Sequence, residues 1–69
     1  MMDKITLRAA RVNAGHTQQR AAELIGVSLS TIKNWEAGKS FPNQPMIDKI
    51  CEVYRISYDR INFFAQRLA

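Results

Sequence analysis

The stretch from Thr17 to Lys39, TQQRAAELIGVSLSTIKNWEAGK, decides how this chain folds. It predicts two short helices, Gln18 to Ile25 and about Leu29 to Ala37, each followed by a glycine. Glycine readily adopts the left-handed conformation that ends many helices. Thr17 and Ser28 stand where an N-cap belongs, because their hydroxyl oxygens can accept hydrogen bonds from the first helical turn. The pattern indicates a helix-turn-helix unit over about residues 17–38.

Four residues have the sizes that two helices crossing at a steep angle require: Ala22, Gly26, Ile32 and Trp35. A bulky side chain at position 22 would push the helices apart, and glycine at position 26 accepts a positive φ without strain. Ile32 and Trp35 are three residues apart and therefore share one face of the second helix. They predict the buried side of that helix, and core packing is favoured over base stacking for Trp35.

The opposite face of the second helix is polar. Ser30, Asn34 and Ala37 point away from the apolar anchors, and Lys33 lies on the flank. A helix of fewer than three turns is not stable alone and must lie on other helices. The sequence therefore predicts a supported helix that presents short polar side chains to solvent or to a partner.

The remaining sequence predicts three more helices and no strands, in a single all-α domain spanning residues 1–69. The first runs from about Asp3 to Ala14. The fourth follows Asn43 as N-cap, with Pro45 tolerated in its first turn, and reaches Tyr54. The fifth follows Ser57, with an apolar side formed by Tyr58, Ile61, Phe64 and Leu68. Arg55 occupies the break before it, where glycine would cost less.

The charge of the chain favours a polyanionic partner. Its formal net charge is +4 and its isoelectric point is about 9.7. The first 39 residues carry six basic and three acidic side chains, whereas the remainder carries four and three. The positive excess thus lies in the half that holds the two-helix stretch.

Several classes of function are disfavoured by composition. The single cysteine, Cys51, excludes an intramolecular disulfide and fits a reducing cytoplasm. Cys51 and His16 are the only soft ligands, so no metal site is expected, and no cofactor is implied. We expect Cys51 in the core and His16 packed in a turn, although a pH-sensing histidine is the alternative. Membrane spans, a signal peptide, a catalytic constellation and an effector pocket are not evident.

Five motifs carry a family resemblance: LRxxR, GxTQ, the GVS turn, TIxxWExGK and a PxxxxxxKI…ISxD tail. With them the chain closely resembles the phage repressor and Cro-like family, also called the xenobiotic-response-element family, from about Leu7 to Ile61. The resemblance implies a compact five-helix, lambda-repressor-like domain. In such a domain the third helix enters the major groove of DNA and the second lies across the backbone.

The resemblance implies base contacts near the start of the third helix, by Ser28, Leu29, Ser30, Lys33 and Asn34. Asn34 would bind adenine bidentately, Lys33 would reach guanine or a phosphate, and Leu29 would pack on a thymine methyl. Each good base contact contributes roughly 1–3 kcal/mol of discrimination. The alternative is that the polar side chains are merely solvated and that Leu29 folds onto the edge of the core.

The resemblance also implies residues that contact the DNA backbone and residues that support the third helix, which reads the bases. Gln18 would bind a phosphate at the N-terminus of the second helix. Arg20 in the second helix and Lys39, just after the third, would also contact the DNA backbone. Arg11 and Glu36 match a family ion pair that joins the first helix to the end of the third.

Two alanines depart from the family pattern. Ala10 and Ala21 stand where leucine is usual, so the core is expected to be thinner between the first two helices. Phe41, Phe63 and Phe64 either compensate or face a partner. Adjacent phenylalanines point in different directions, so one of the last two is expected at a dimer contact.

The sequence thus predicts a non-enzymatic, cytoplasmic protein that binds double-stranded DNA sequence-specifically. We expect a transcriptional repressor of phage or mobile-element type that acts as a homodimer on an inverted-repeat operator. The alternative is a protein-interaction module, such as an antitoxin-like partner, built on the same fold.

Overall fold

The computed structural model describes residues 4–63 and shows an all-α domain in that range. One isolated parallel β-bridge joins Ile5 to Ile61, and the described residues contain no strand. Four α-helices are followed by a short 3-10 turn: α1 Leu7–Asn13, α2 Gln18–Ile25, α3 Leu29–Glu36, α4 Gln44–Tyr54, and the turn Tyr58–Arg60.

Each α-helix begins at a polar residue whose side chain accepts a backbone N–H bond. Thr17 accepts from Arg20, and Ser28 accepts from Thr31. Asn43 caps α4 in the same manner, with Pro45 in the first turn. Three of the four predicted N-caps, Thr17, Ser28 and Asn43, are therefore confirmed, because their hydroxyl and amide oxygens satisfy donors that lack a partner within the helix.

The predicted start of the first helix, near Asp3, is wrong. Thr6 caps α1 by accepting from the backbone N–H of Ala9 at 3.0 Å, so the helix begins at Leu7. Ile5 instead pairs with the backbone around Ile61. Its N–H donates to Arg60 O and its carbonyl oxygen accepts from the N–H of Asn62, both at 2.8 Å. This pairing holds the segment extended, and Asp3 itself lies outside the described residues.

The predicted fifth α-helix is not confirmed. Its expected first turn is a 3-10 turn, and Ser57 makes no side-chain cap bond. Ile61 is extended, with φ −102° and ψ 128°, because it forms the bridge to the segment before α1. The rest of the predicted helix, including Phe64 and Leu68, lies outside the described residues.

The core lies where α1, α2 and α4 meet the inner face of α3. Ile32 and Trp35 are 1% and 6% exposed, which confirms them as buried anchors. Ala10, Ala21 and Ala22 are also buried, so the first two helices contribute small side chains at their contacts. The larger buried side chains around them are Leu7, Ile25, Ile50, Tyr54, Ile61 and Phe63.

Four of the described residues have a positive φ: Gly15, Gly26, Gly38 and Arg55. Gly26 has a φ of 90°, and a Cβ placed there would meet nothing within 4 Å. Its requirement for glycine is therefore conformational. Arg55 ends α4 with a φ of 54°, the strained position predicted from the missing glycine. Among residues 4–63 no helix is both long and apolar enough to cross a membrane.

Candidate nucleic-acid interface

The outer face of α3 is polar and accessible. Ser30, Lys33 and Asn34 are exposed, whereas Leu29 is half-buried at the start of the helix. The anchors Ile32 and Trp35 occupy the opposite side of α3 and fix its rotation. The residues predicted to meet base edges therefore lie together on one surface.

Ser28 is exposed, but its hydroxyl group already has partners. Its Oγ accepts from the backbone N–H of Thr31 at 3.1 Å and lies 2.9 Å from the Thr31 Oγ1. Thr31 was missed in the sequence, although Ser and Thr three residues apart at a helix start would have indicated the pair. The two hydroxyl groups form a fixed polar unit at the tip of α3.

A buried ion pair joins α1 to the end of α3. Arg11 Nε donates to Glu36 Oε2 at 2.6 Å and Arg11 Nη2 donates to Oε1 at 3.2 Å. The two side chains are only 9% and 8% exposed. Arg11 Nη1 also donates to the carbonyl oxygen of His16 at 2.8 Å. This guanidinium group thus ties together α1, the turn before α2, and α3.

Gln18 belongs to the same network. Its Nε2 donates to Glu36 Oε1 at 3.1 Å, which holds the amide at the N-terminus of α2. An amide nitrogen carries two hydrogens, so the second remains available as a donor. Thr17 accepts from the backbone N–H of Arg20 at 3.0 Å, so the first turn of α2 is partly capped.

A shallow basic groove runs between α1 and α3, beside Gln18. It has a volume of about 590 Å³ and is lined by Arg8, Arg11, Thr17, Gln18, Lys33, Glu36 and Ala37. Arg8 and Lys33 are exposed, and neither forms an ion pair within the described part of the chain. Because the charge of Arg11 is matched by Glu36, these two cations give the groove its positive excess.

Arg8 is the residue that the sequence analysis missed at this groove. It lies three residues before Arg11 on α1, so the two side chains point to neighbouring positions on the helix surface. The spacing alone was a weak signal, because a surface arginine is usually just solvated. Only the packing of α1 against α3 brings it into the same groove as Lys33.

The other two predicted phosphate ligands lie outside the lining of this groove. Arg20 is 60% exposed, and its Nη1 lies 3.3 Å from Glu23 Oε1. Lys39 is exposed in the segment after α3, and its backbone N–H donates to Asn34 O at 2.9 Å. The exposed Arg20–Glu23 pair contributes little to stability. Arg20 can therefore readily leave Glu23 and bind another anion.

Behind the interface, burial changes the ionisation of two side chains. Burial, together with the nearby Glu36 carboxylate, raises the pKa of Tyr54 to about 12, and Arg11 opposes this change. Burial and the Asp48 carboxylate raise the pKa of the half-buried Cys51 thiol. His16 Nε2 lies 3.3 Å from the Val53 carbonyl oxygen.

The surface offers hydrogen-bond donors and cations rather than a metal centre. Residues 4–63 contain no group of three or more His, Cys, Asp or Glu side chains placed to hold a metal ion. Short polar side chains on a rigid helix, flanked by a basic groove, match the edges of bases and the phosphates of a duplex.

Comparison with known proteins identifies the class. The family model described as Helix-turn-helix (HTH_3) matches residues 7–61. The chain therefore belongs to the helix-turn-helix family of the Cro/C1 type, a class of DNA-binding transcription regulators.

One curated relative supports the same assignment. The HTH-type transcriptional activator BcrR from Enterococcus faecalis is 31% identical over 55 residues, which are 80% of this chain and 27% of the relative. The chain thus spans about a quarter of the length of that protein. No solved structure gives a significant match.

Proposed function

We propose that the domain binds double-stranded DNA sequence-specifically by inserting α3 into the major groove. The observation that carries the proposal is the division of α3 into two faces. Ile32 and Trp35 are buried, while Ser30, Lys33 and Asn34 are exposed on the opposite side. A helix held this way can approach base edges without disturbing the core.

Asn34 and Lys33 are the principal base-reading residues in this proposal. The Asn34 amide can pair bidentately with adenine, and the Lys33 ammonium group can reach guanine or a phosphate. Ser30 adds a hydroxyl group, and Leu29 supplies an apolar contact for a thymine methyl. Ser28 contributes less, because its Oγ is held by Thr31.

The DNA backbone is held on both sides of the reading helix. Gln18 donates its second amide hydrogen to a phosphate at the N-terminus of α2, while Arg8 adds a cation from α1. Arg20 and Lys39 make outer contacts. Arg11 and Glu36 do not touch DNA in this proposal; they fix α1 to the end of α3 and so orient the reader.

Two copies act together on an inverted repeat. A single reader helix contacts few base pairs, and a two-fold dimer places two of them about one DNA turn apart. We infer a repressor of phage or mobile-element type, which occupies its operator and blocks transcription. No cofactor or catalytic step is part of this proposal, and the cytoplasm is inferred as the location because that is where its DNA would be.

The test is selection of bound duplexes from a random library with the wild type, Asn34→Ala and Asn13→Ala. Asn13 is an exposed asparagine at the end of α1, away from the reading face, and is the matched control. We expect a symmetric consensus that Asn13→Ala retains. Asn34→Ala should relax one position in each half-site, at a cost of roughly 1–3 kcal/mol.

Recovery of no consensus would reject sequence-specific reading. An unchanged consensus with Asn34→Ala would reject only the role of that residue. If the domain retained no DNA even at low salt, the protein-interaction alternative would replace this proposal, because phosphate contacts strengthen as salt is lowered.

The sign of regulation and the dimer are tested on the selected duplex. Placed over a promoter in a reporter strain, it should lower expression when the protein is present; increased expression would reject repression. Sedimentation with the same duplex should show two chains bound to each DNA molecule. A complex with one chain would reject the dimer.

A further inference from the structure

A second cleft shares no lining residue with the basic groove. It has a volume of about 770 Å³, and its lining comes from α1, α2, α4 and the segments beside them. No residue of α3 contributes to it. The sequence indicated no effector pocket, because the lining residues are distant along the chain and only the fold brings them together.

Part of the cleft lining is apolar. Ala10 and Ala14 contribute from α1 and the residue after it, and their side chains are small, so longer ones would take up space in the cleft. Leu24, Ile5 and Ile56 are half-buried and also line the cleft. Apolar surface of this kind favours the hydrocarbon part of a ligand.

The lining also contains basic side chains. Arg55, Arg60 and His16 contribute to it, together with one carboxylate, Glu52. None of these four side chains forms an ion pair within the part of the chain that the structure describes. The balance of formal charge around the cleft is therefore positive even with a neutral histidine.

One feature of the arginines is not accounted for by the fold. Arg60 Nε is buried and has no hydrogen-bond partner, and no other buried side-chain nitrogen or oxygen of the described residues is left in this state. A buried donor without a partner is rare in a folded domain and calls for an interaction that the fold does not supply. Arg55, which ends α4 in the left-handed conformation common at helix ends, adds an exposed side chain to the same lining.

We propose that this cleft binds a small amphiphilic carboxylate. The carboxylate accepts from the guanidinium groups of Arg60 and Arg55, which suit it geometrically because they present several donors in a plane. The hydrocarbon part packs against Ala14 and Leu24. The inference does not depend on DNA binding, and it is tested with the free protein.

The experiment is a titration of the ¹⁵N-labelled full chain followed by amide chemical shifts. Octanoate is the probe. Octan-1-ol, which has the chain without the charge, and inorganic phosphate, which has charge without the chain, are the comparisons. We expect octanoate to give saturable shifts at Ala14, Leu24, Arg55 and Ile56. The alcohol should bind about tenfold more weakly, since it loses a charge-assisted hydrogen bond.

Variants separate the charge from the space. Arg60→Gln should weaken octanoate binding about tenfold, the value expected for loss of one such bond. Arg20→Gln, which removes an exposed arginine that does not line the cleft, is the control and should bind as the wild type does. Ala14→Leu should abolish binding by filling the cleft, and circular dichroism shows whether each variant is folded.

Three outcomes would overturn the proposal. Equal affinity for octanoate and octan-1-ol would show that the cations do not bind the ligand. Equal octanoate affinity in Arg60→Gln and Arg20→Gln would remove Arg60 from the site. Saturable shifts confined to α3, or no saturable shifts at any amide, would place no carboxylate site in this cleft.

Discussion

The two sides of α1 face regions that differ in how completely their polar groups are hydrogen-bonded. On the side toward α3, all three nitrogens of the Arg11 guanidinium group donate to Glu36 or His16, and Gln18 donates to the same carboxylate. On the side toward the cleft, Arg60 Nε has no partner. In the first region the hydrogen bonds fix the position of α3, whereas in the second a buried donor has no partner. A chain of 69 residues can therefore hold both a hydrogen-bonded rigid surface and a separate site with an unsatisfied donor.

The largest effect is expected from removing the Arg11 guanidinium group, which joins α1 to the end of α3. Arg11→Ala leaves Glu36 buried and unpaired, which costs about 3–5 kcal/mol of unfolding free energy. Arg20→Ala breaks an exposed pair and should cost less than about 1 kcal/mol. Chemical denaturation of both variants measures the difference. Similar losses would show that the Arg11–Glu36 pair is not structurally special, and a shifted DNA consensus in folded Arg11→Ala would show that it reads bases.

Tyr54 lines the cleft, and the charges of Glu36 and Arg11 also affect its pKa. Its ionisation therefore tests the packing between the cleft and the Arg11–Glu36 pair. Its pKa is raised to about 12 from 10.0, so folding favours the protonated phenol. This contribution is fully present below pH 10 and is lost as pH rises toward 12, on the order of 2 kcal/mol. The unfolding free energy of the wild type should therefore fall more steeply in this interval than that of Tyr54→Phe. Parallel curves would contradict the burial of the hydroxyl group.

Gly26 and Arg55, which both have a positive φ, should respond to substitution in opposite directions. Gly26→Ala places a side chain at a φ of 90° and should destabilise the domain by about 1–2 kcal/mol. Arg55→Gly relieves the same kind of strain at a φ of 54° and should raise the unfolding free energy by up to about 1 kcal/mol. Thermal denaturation measures both. A destabilised Arg55→Gly would mean that its side chain supports the fold.

The smallest effect concerns Arg8 and is seen in salt dependence. If Arg8 neutralises one phosphate, Arg8→Ala should reduce the slope of log K against log salt by about 0.9. Asn34→Ala should weaken binding to the selected duplex and keep the slope. Arg55→Ala, on the cleft side, should change neither. Fluorescence anisotropy at several salt concentrations distinguishes the three, and an unchanged slope for Arg8→Ala would remove it from the interface.

Local chemistry explains why most of the fold was predictable. Thr17, Ser28 and Asn43 cap helices through bonds to residues three positions away, so the signal is contained in a few neighbouring letters. Ile32 and Trp35 share a helix face because of helical periodicity. The predicted bounds of α2 are confirmed, and α3 ends within one residue of its predicted end.

The errors arose where distant segments compete with local preference. The first helix starts late because Ile5 pairs with the backbone of Arg60 and Asn62 rather than with its own neighbours. The same pairing keeps Ile61 extended, where helical spacing had suggested a fifth helix. Neither contact can be read from a window of neighbouring residues, since the partners are more than 50 positions apart.

By itself the sequence determined the helix-turn-helix unit, its caps, its turn glycine and the two faces of α3, because these depend on spacings of three or four residues. The tertiary structure alone decided which charges are used and which are left available. It buries Arg11 against Glu36, brings Arg8, Lys33 and Gln18 into one groove, and forms the cleft from α1, α2, α4 and adjoining segments. The physical reason is that a helical pattern fixes the direction of a side chain, while its partner depends on how the helices pack.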